Sequence, residues 1–177
     1  MHIQTHLVSG WCFGNYIKLT PKERFFCILA SGIPDLDGLG YFINEEWYYD
    51  FHHVLGHNLF FGFLMSAFLS FFSSNRKRAF LCYLILFHIH LIMDFLGSGP
   101  GWTISYLWPL TDWKFENPLA WEFFSWQNLS TGFFFYGWTL WIIIVKKRTP
   151  LEYPMPSLDK QIVDLAENIS KKIKGSR

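Results

Sequence analysis

The chain has 177 residues, 51% of them hydrophobic and 16% charged, where soluble proteins carry roughly 25% charged residues. The formal net charge is +1, so bulk charge gives no reason to expect a nucleic-acid partner. Cys12, Cys27 and Cys82 stand singly, without C-x-x-C spacing, which excludes a disulfide framework and a thiolate zinc knuckle.

No basic n-region precedes an apolar run at the start, so no cleavable signal peptide is expected. Residues 7–17 and 25–33 are apolar but too short to cross a bilayer alone; re-entrant or bundle-packed helices are expected there. Residues 59–72 lack charge, and the apolar stretch approaches a full span if its helix begins near His53. Residues 79–96 form the second expected span and residues 126–145 the third, against about 20 residues for a bilayer crossing. The fold class expected is an all-α polytopic membrane bundle with about three full spans, two shorter N-terminal helices and a C-terminal amphipathic helix. Residues 1–148 would form the embedded domain. Residues 149–177 would form a Pro-rich linker, "TPLEYPMPS", and a cytoplasmic helix capped by Ser157. Its apolar stripe is Leu158, Ile162, Leu165, Ala166, Ile169 and Ile173.

Basic clusters fall at Lys18, Lys22 and Arg24, at Arg76 to Arg78 and at Lys146 to Arg148. The positive-inside rule puts all three in the cytoplasm, together with the C-terminus. Trp47, Tyr48, Tyr49, Trp102, Trp108, Trp113, Trp121 and Trp126 fall on the other side, as an interfacial aromatic belt would. The expected location is the bacterial inner membrane, multi-pass, with lipid as the surrounding partner.

Histidines and aspartates alternate with the basic clusters along the chain: His6, then Asp35, Asp37, His52, His53 and His57, then His88, His90 and Asp94. In a helical bundle, alternation means opposite ends, so these groups should gather at the outer one. His90 and Asp94 are four apart and share a helix face, as do His53 and His57 if helical. "PDLD" offers two carboxylates on a turn, since Pro34 disfavours helix at the preceding residue. An ionisable group inside an apolar span is costly and points to function. Imidazole plus carboxylate suits a divalent metal, zinc first, with manganese or iron as alternatives, and the number of groups allows one or two ions. The candidate ligands are His6, Asp35, Asp37, His52, His57, His90 and Asp94. His53 and His88 are candidates for ligation or for supporting hydrogen bonds, and a lone His88 also fits an ordinary hydrogen-bonded core histidine. Asp37 is the candidate general base.

These residues resemble a bacterial family of membrane-bound metal-dependent hydrolases, described as LexA-binding and inner-membrane-associated. That family's pattern is an early His, "PD-x-D", "HR-x-x-[ST]-H", then "H-x-x-x-D" followed by a Gly-containing loop and "WP". Here the corresponding residues are His6, Pro34 to Asp37, His52 to His57, His90 and Asp94, and Trp108-Pro109. The resemblance runs from about His6 to Pro118. His53 stands where the pattern has arginine, and Gly56 where it has Ser or Thr. The resemblance implies hydrolase activity; a more distant likeness is to the zinc-dependent phospholipase C and nuclease fold. The function expected is metal-dependent hydrolysis of a phosphoester or lipid-like ester at the outer face. The competing readings are a non-enzymatic metal-binding or metal-transport protein and a haem protein using His88 or His90.

Overall fold

The computed structural model describes residues 1–175, with side chains through Lys172. The chain runs through α1 (Ile3–Gly14), α2 (Pro21–Gly32), a 3-10 segment (Ile33–Phe42), α3 (Glu45–Phe51), α4 (Leu59–Phe71) and α5 (Arg76–Gly97). A two-stranded antiparallel hairpin, β1 (Thr103–Ile104) and β2 (Phe115–Glu116), precedes α6 (Trp126–Lys146) and α7 (Pro156–Gly175). The all-α expectation fits, apart from the small hairpin.

Local chemistry explains the helix boundaries. Thr20 opens α2 with a reciprocal capping box: Glu23 N–H donates to Thr20 Oγ1, and Thr20 N–H donates to Glu23 Oε2. Pro21 occupies the first turn, where its missing N–H costs nothing. Asn75 and Ser125 cap α5 and α6 in the same side-chain-to-backbone manner. α4 begins at Leu59, not near His53, because Asn58 accepts from Phe61 N–H while its amide donates to the carbonyls of Val54 and Leu55. Residues 52–58 are therefore held as a tight irregular turn.

α5 and α6 are each long and apolar enough to cross a membrane, at 22 and 21 residues, or about 33 and 31 Å at 1.5 Å per residue. α4 has 13 residues, about 20 Å, and falls short of a bilayer core of about 30 Å. α5 is the central helix. Its Cys82, Tyr83, Leu86, Phe87 and Leu91 pack with Cys27 and Ala30 of α2 and Met65 and Leu69 of α4. Met93 joins a second cluster with Trp11, Cys12, Phe135 and Ile142. Elsewhere the apolar residues point outward: Phe63 and Phe68 on α4, Ile85 and Ile92 on α5, and Phe133, Phe134 and Leu140 on α6 are all more than half exposed. Such a continuous apolar exterior fits a lipid surround and not water.

Small residues let the helices approach. A Cβ on Gly10 would lie 2.3 Å from the Cys27 carbonyl oxygen, and one on Gly14 would lie 2.8 Å from Cys27 Sγ. Gly10 and Gly14 thus form a small-x-x-x-small stripe on α1 that seats α2. Gly62 of α4 similarly receives the Phe87 ring of α5.

The basic clusters meet at one end of the bundle. Arg78 donates to the Lys18 carbonyl at 3.1 Å and Lys146 to the Asn15 carbonyl at 2.5 Å. Arg24 makes a two-pronged, largely buried pair with Glu152, at 2.5 and 2.8 Å, and also reaches the Leu19 carbonyl. Breaking such a pair by removing one partner costs about 3–5 kcal/mol. Glu152→Ala should therefore lower the thermal midpoint of the detergent-solubilised protein clearly, and a joint Arg24→Met/Glu152→Leu change should lower it less. An unchanged midpoint in Glu152→Ala would assign the pair no structural weight.

α7 turns its apolar residues Ile162, Leu165, Ala166 and Ile169 toward Leu140, Ile143 and Ile144 of α6. Asp159 accepts from Thr149 N–H at 2.6 Å, which pins the linker to the start of α7. The Ile173 side chain and the end of the basic run lie outside the described side chains.

Candidate metal centre

The site forms where α1 and α4 start and α2 and α5 finish, at the end of the bundle opposite the basic clusters. α1 supplies His6, the 3-10 segment Asp35 and Asp37, the turn before α4 His52, His53 and His57, and α5 His90 and Asp94. His6, His53, His57, His90 and Asp94 are buried, and the Asp35 side chain is 12% exposed.

The hydrogen bonds define the proton inventory. His90 Nδ1–H donates to the Ser31 carbonyl at 2.8 Å, a partner that only accepts. His57 Nδ1–H donates to Asp37 Oδ2 at 3.0 Å. Both rings therefore turn Nε2 inward, and the two Nε2 atoms lie 3.1 Å apart. Asp94 Oδ2 is 2.9 Å from His90 Nε2 and 3.4 Å from His57 Nε2; Asp35 Oδ1 is 3.6 and 3.7 Å from the same atoms. Four lone-pair atoms thus converge on one point. Such an arrangement is repulsive unless a cation sits among them, a proton at the least and a metal ion at best.

His6 Nε2 lies 3.1 Å from Asp94 Oδ1, which also receives the Met1 amino group and Ser98 Oγ–H. His6 Nδ1, His53 Nδ1 and Asp35 Oδ2 are buried with no hydrogen-bond partner. Two ligand groups satisfy close-approach geometry, with all ligand atoms of each within 4.8 Å of one another: His6, Asp35, His90 and Asp94, and His53, His57 and Asp94.

Asp37 and His52 stand one layer out. Asp37 accepts from His52 Nδ1–H at 2.7 Å, from His57 Nδ1–H, and from Gly56 N–H at 2.9 Å. Burial alone would raise the Asp37 carboxyl, but these histidine bonds outweigh it and hold it below the usual carboxylate range. For His57 burial lowers the pKa, but Asp37 and Asp94 outweigh that and lift it to about 9, so without a metal the ring holds a second proton. Burial, and then His57, pushes His53 well below its ordinary value. A carboxylate behind a histidine fixes the tautomer and ring direction of a metal ligand. Asp37 does this for His57, and the Ser31 carbonyl does it for His90.

His88 lies outside the cluster. Its Nδ1–H donates to the Leu84 carbonyl at 2.7 Å, and Tyr106 O–H donates to its Nε2 at 2.9 Å. Two residues from His90 on a helix, it faces away from the site. Sequence reasoning missed the Ser31 carbonyl and the Trp102 ring, which packs 5.5 and 5.4 Å from the rings of His52 and His53. A backbone carbonyl leaves no residue-type signal. Trp102 was visible only as one member of an aromatic belt. The 3-10 segment that carries Asp35 and Asp37, and α3 just before His52, expose apolar side chains at Leu36, Leu39, Phe42, Ile43 and Trp47.

These features define a class: an all-helical membrane protein with two membrane-length helices and a buried His/Asp cluster at one end of the bundle. The model of the YdjM inner membrane protein family matches residues 1–155. The chain belongs to that family, which supports a membrane location. No curated protein and no solved structure matches the chain.

Proposed function

We propose that the chain is a metal-dependent hydrolase of the bacterial inner membrane, acting on a phosphoester or lipid-like ester at the outer face. The gathering of buried imidazole nitrogens and carboxylate oxygens from His6, Asp35, His57, His90 and Asp94 at one end of the bundle carries this reading. In the proposed topology the basic ends of α4, α5 and α6 face the cytoplasm, with α4 completing a third crossing beside the turn that precedes it. α7 and the C-terminus are cytoplasmic.

The donor set, imidazole and carboxylate without thiolate, fits zinc, with manganese or iron as alternatives. The bound ion would supply Lewis acidity, which acidifies a water and polarises an ester oxygen. The remaining work falls to the chain. Asp37, with three donors on its two oxygens, orients His57 and is a poor proton acceptor. The sequence pointed to Asp37 as base; of the two carboxylates in the 3-10 segment, the one with an unpartnered oxygen is Asp35, at Oδ2. We assign Asp35 the proton from the attacking water. The apolar brim from Leu36 to Trp47 would hold the acyl or other apolar arm of the substrate in the interface.

The transport reading needs ligands spread through the membrane depth. Here they sit at one end, and below them α5 presents Phe87, Leu86 and Tyr83 to the core, which favours catalysis. Purified protein in mixed micelles with a phospholipid-like phosphoester should turn over, lose turnover on chelation, regain it with zinc or manganese, and show none as His90→Ala. Full activity after thorough chelation would overturn the proposal.

A further inference from the structure

We propose that the site is dinuclear, with His53 as a ligand of a second cation held by His53, His57 and Asp94 beside the one held by His6, Asp35, His90 and Asp94. This rests on the metal-hydrolase reading above and deepens it.

Four observations carry it. His53 is 97% buried, yet its Nδ1 has no partner, and an unpaired buried polar atom is costly unless something binds it. Its backbone has φ +66°, a left-handed conformation uncommon for a residue with a side chain and worth keeping only where the surroundings require it. That conformation is secured from outside: Ser105 N–H donates to the His53 carbonyl at 3.2 Å, and the Trp102 ring packs on the imidazole. Finally, ligand atoms of His53, His57 and Asp94 already lie within 4.8 Å of one another. Asp94 belongs to both groups and would bridge them. Its Oδ1 faces His6, and its Oδ2 faces His57 and His90.

Charge gives the second ion a purpose. Asp35, Asp37 and Asp94 place three negative side chains in and directly behind the cluster. With the Met1 amino group on Asp94 counted, one dication brings the site only to about neutral. A second dication makes it positive, so the second ion is the one that attracts an anionic substrate. Two-metal sites of this kind clamp both the attacking and the leaving oxygen of a phosphoryl group.

The test uses the full chain purified in detergent, stripped with a chelator, reloaded with manganese and freed of excess metal. Elemental analysis counts the ions, and electron paramagnetic resonance reports whether two manganese ions are exchange-coupled. The variant is His53→Gly, which keeps the left-handed backbone accessible and removes the imidazole; circular dichroism checks its helix content. The expected result is two coupled ions in the wild type and one uncoupled ion in His53→Gly with helix content unchanged. If His53→Gly loses helix content, His53→Asn, which also tolerates this backbone, is read by the same criterion. One ion in both wild type and variant, or two ions in both, would overturn the second site and leave the hydrolase reading standing. No ion in the wild type would overturn both.

Discussion

Asp94→Ala should leave the protein with less than about 1% of the wild-type metal affinity and no measurable phosphoesterase turnover. Loss of a single outer hydrogen-bond partner costs a metal site about 10–100-fold in affinity. Asp94 is a direct member of both ligand groups and faces His6, His57 and His90 at 3.1, 3.4 and 2.9 Å. Its removal would leave three inward-facing imidazoles without a counter-charge. Elemental analysis after dialysis against a weak chelator reads the effect directly, and wild-type metal content in Asp94→Ala would remove the cluster from consideration as a metal centre.

Gly56→Ala should be nearly as damaging to the site while sparing the helices. A Cβ there would lie 2.1 Å from the Pro34 carbonyl oxygen, 2.9 Å from its carbonyl carbon and 3.1 Å from its Cα. All three atoms are backbone, so no side chain can swing away. The turn that carries His52, His53 and His57 would have to lift off the 3-10 segment that carries Asp35 and Asp37. The Gly56 N–H bond to Asp37 would be lost with it. Overpacking of this kind costs about 1–3 kcal/mol, and metal affinity should fall about 10–100-fold with the orientation of His57. Helix content by circular dichroism should stay unchanged, because Asn58 caps α4 independently. Wild-type metal affinity in Gly56→Ala would mean that the two segments need not touch. The resembled family pattern has Ser or Thr at this position; in this chain the Pro34 backbone occupies that space.

The gathering of the site was legible in the sequence because it follows from alternation. Basic clusters and His/Asp groups take turns along the chain, and antiparallel helices convert turns into ends. His90 and Asp94 were legible for a simpler reason, since i and i+4 meet on any helix. Asp35 and Asp37 were harder. In a 3-10 helix of about three residues per turn, two positions apart means about 120° around the axis, so the two carboxylates leave on different faces, one into the cluster and the other behind a histidine. Nothing in "PDLD" specifies a 3-10 helix in place of a turn. The sequence left open whether α4 starts at Leu59 or extends back toward His53; the Asn58 side chain settles it by satisfying the Val54 and Leu55 carbonyls and capping the helix at Leu59. The left-handed backbone of His53 had no sequence signal at all, since glycine and asparagine are its usual markers.

α5 continues for seven residues beyond His90 and three beyond Asp94, to Gly97, which places the cluster about 5–10 Å below the end of its own helix. Trp102 packs beside His52 and His53, and the 3-10 segment that carries Asp35 and Asp37 also exposes Leu36, Leu39 and Phe42. For the proposed hydrolase, that depth would act as a ruler on substrates. A small phosphate ester that is polar all round would find nothing to grip at the rim. A molecule with its scissile group on a short polar stem and a greasy body would rest its body in the lipid and lower only the stem to the floor. The reach of that stem, more than the identity of the group at its tip, would decide which esters are cut.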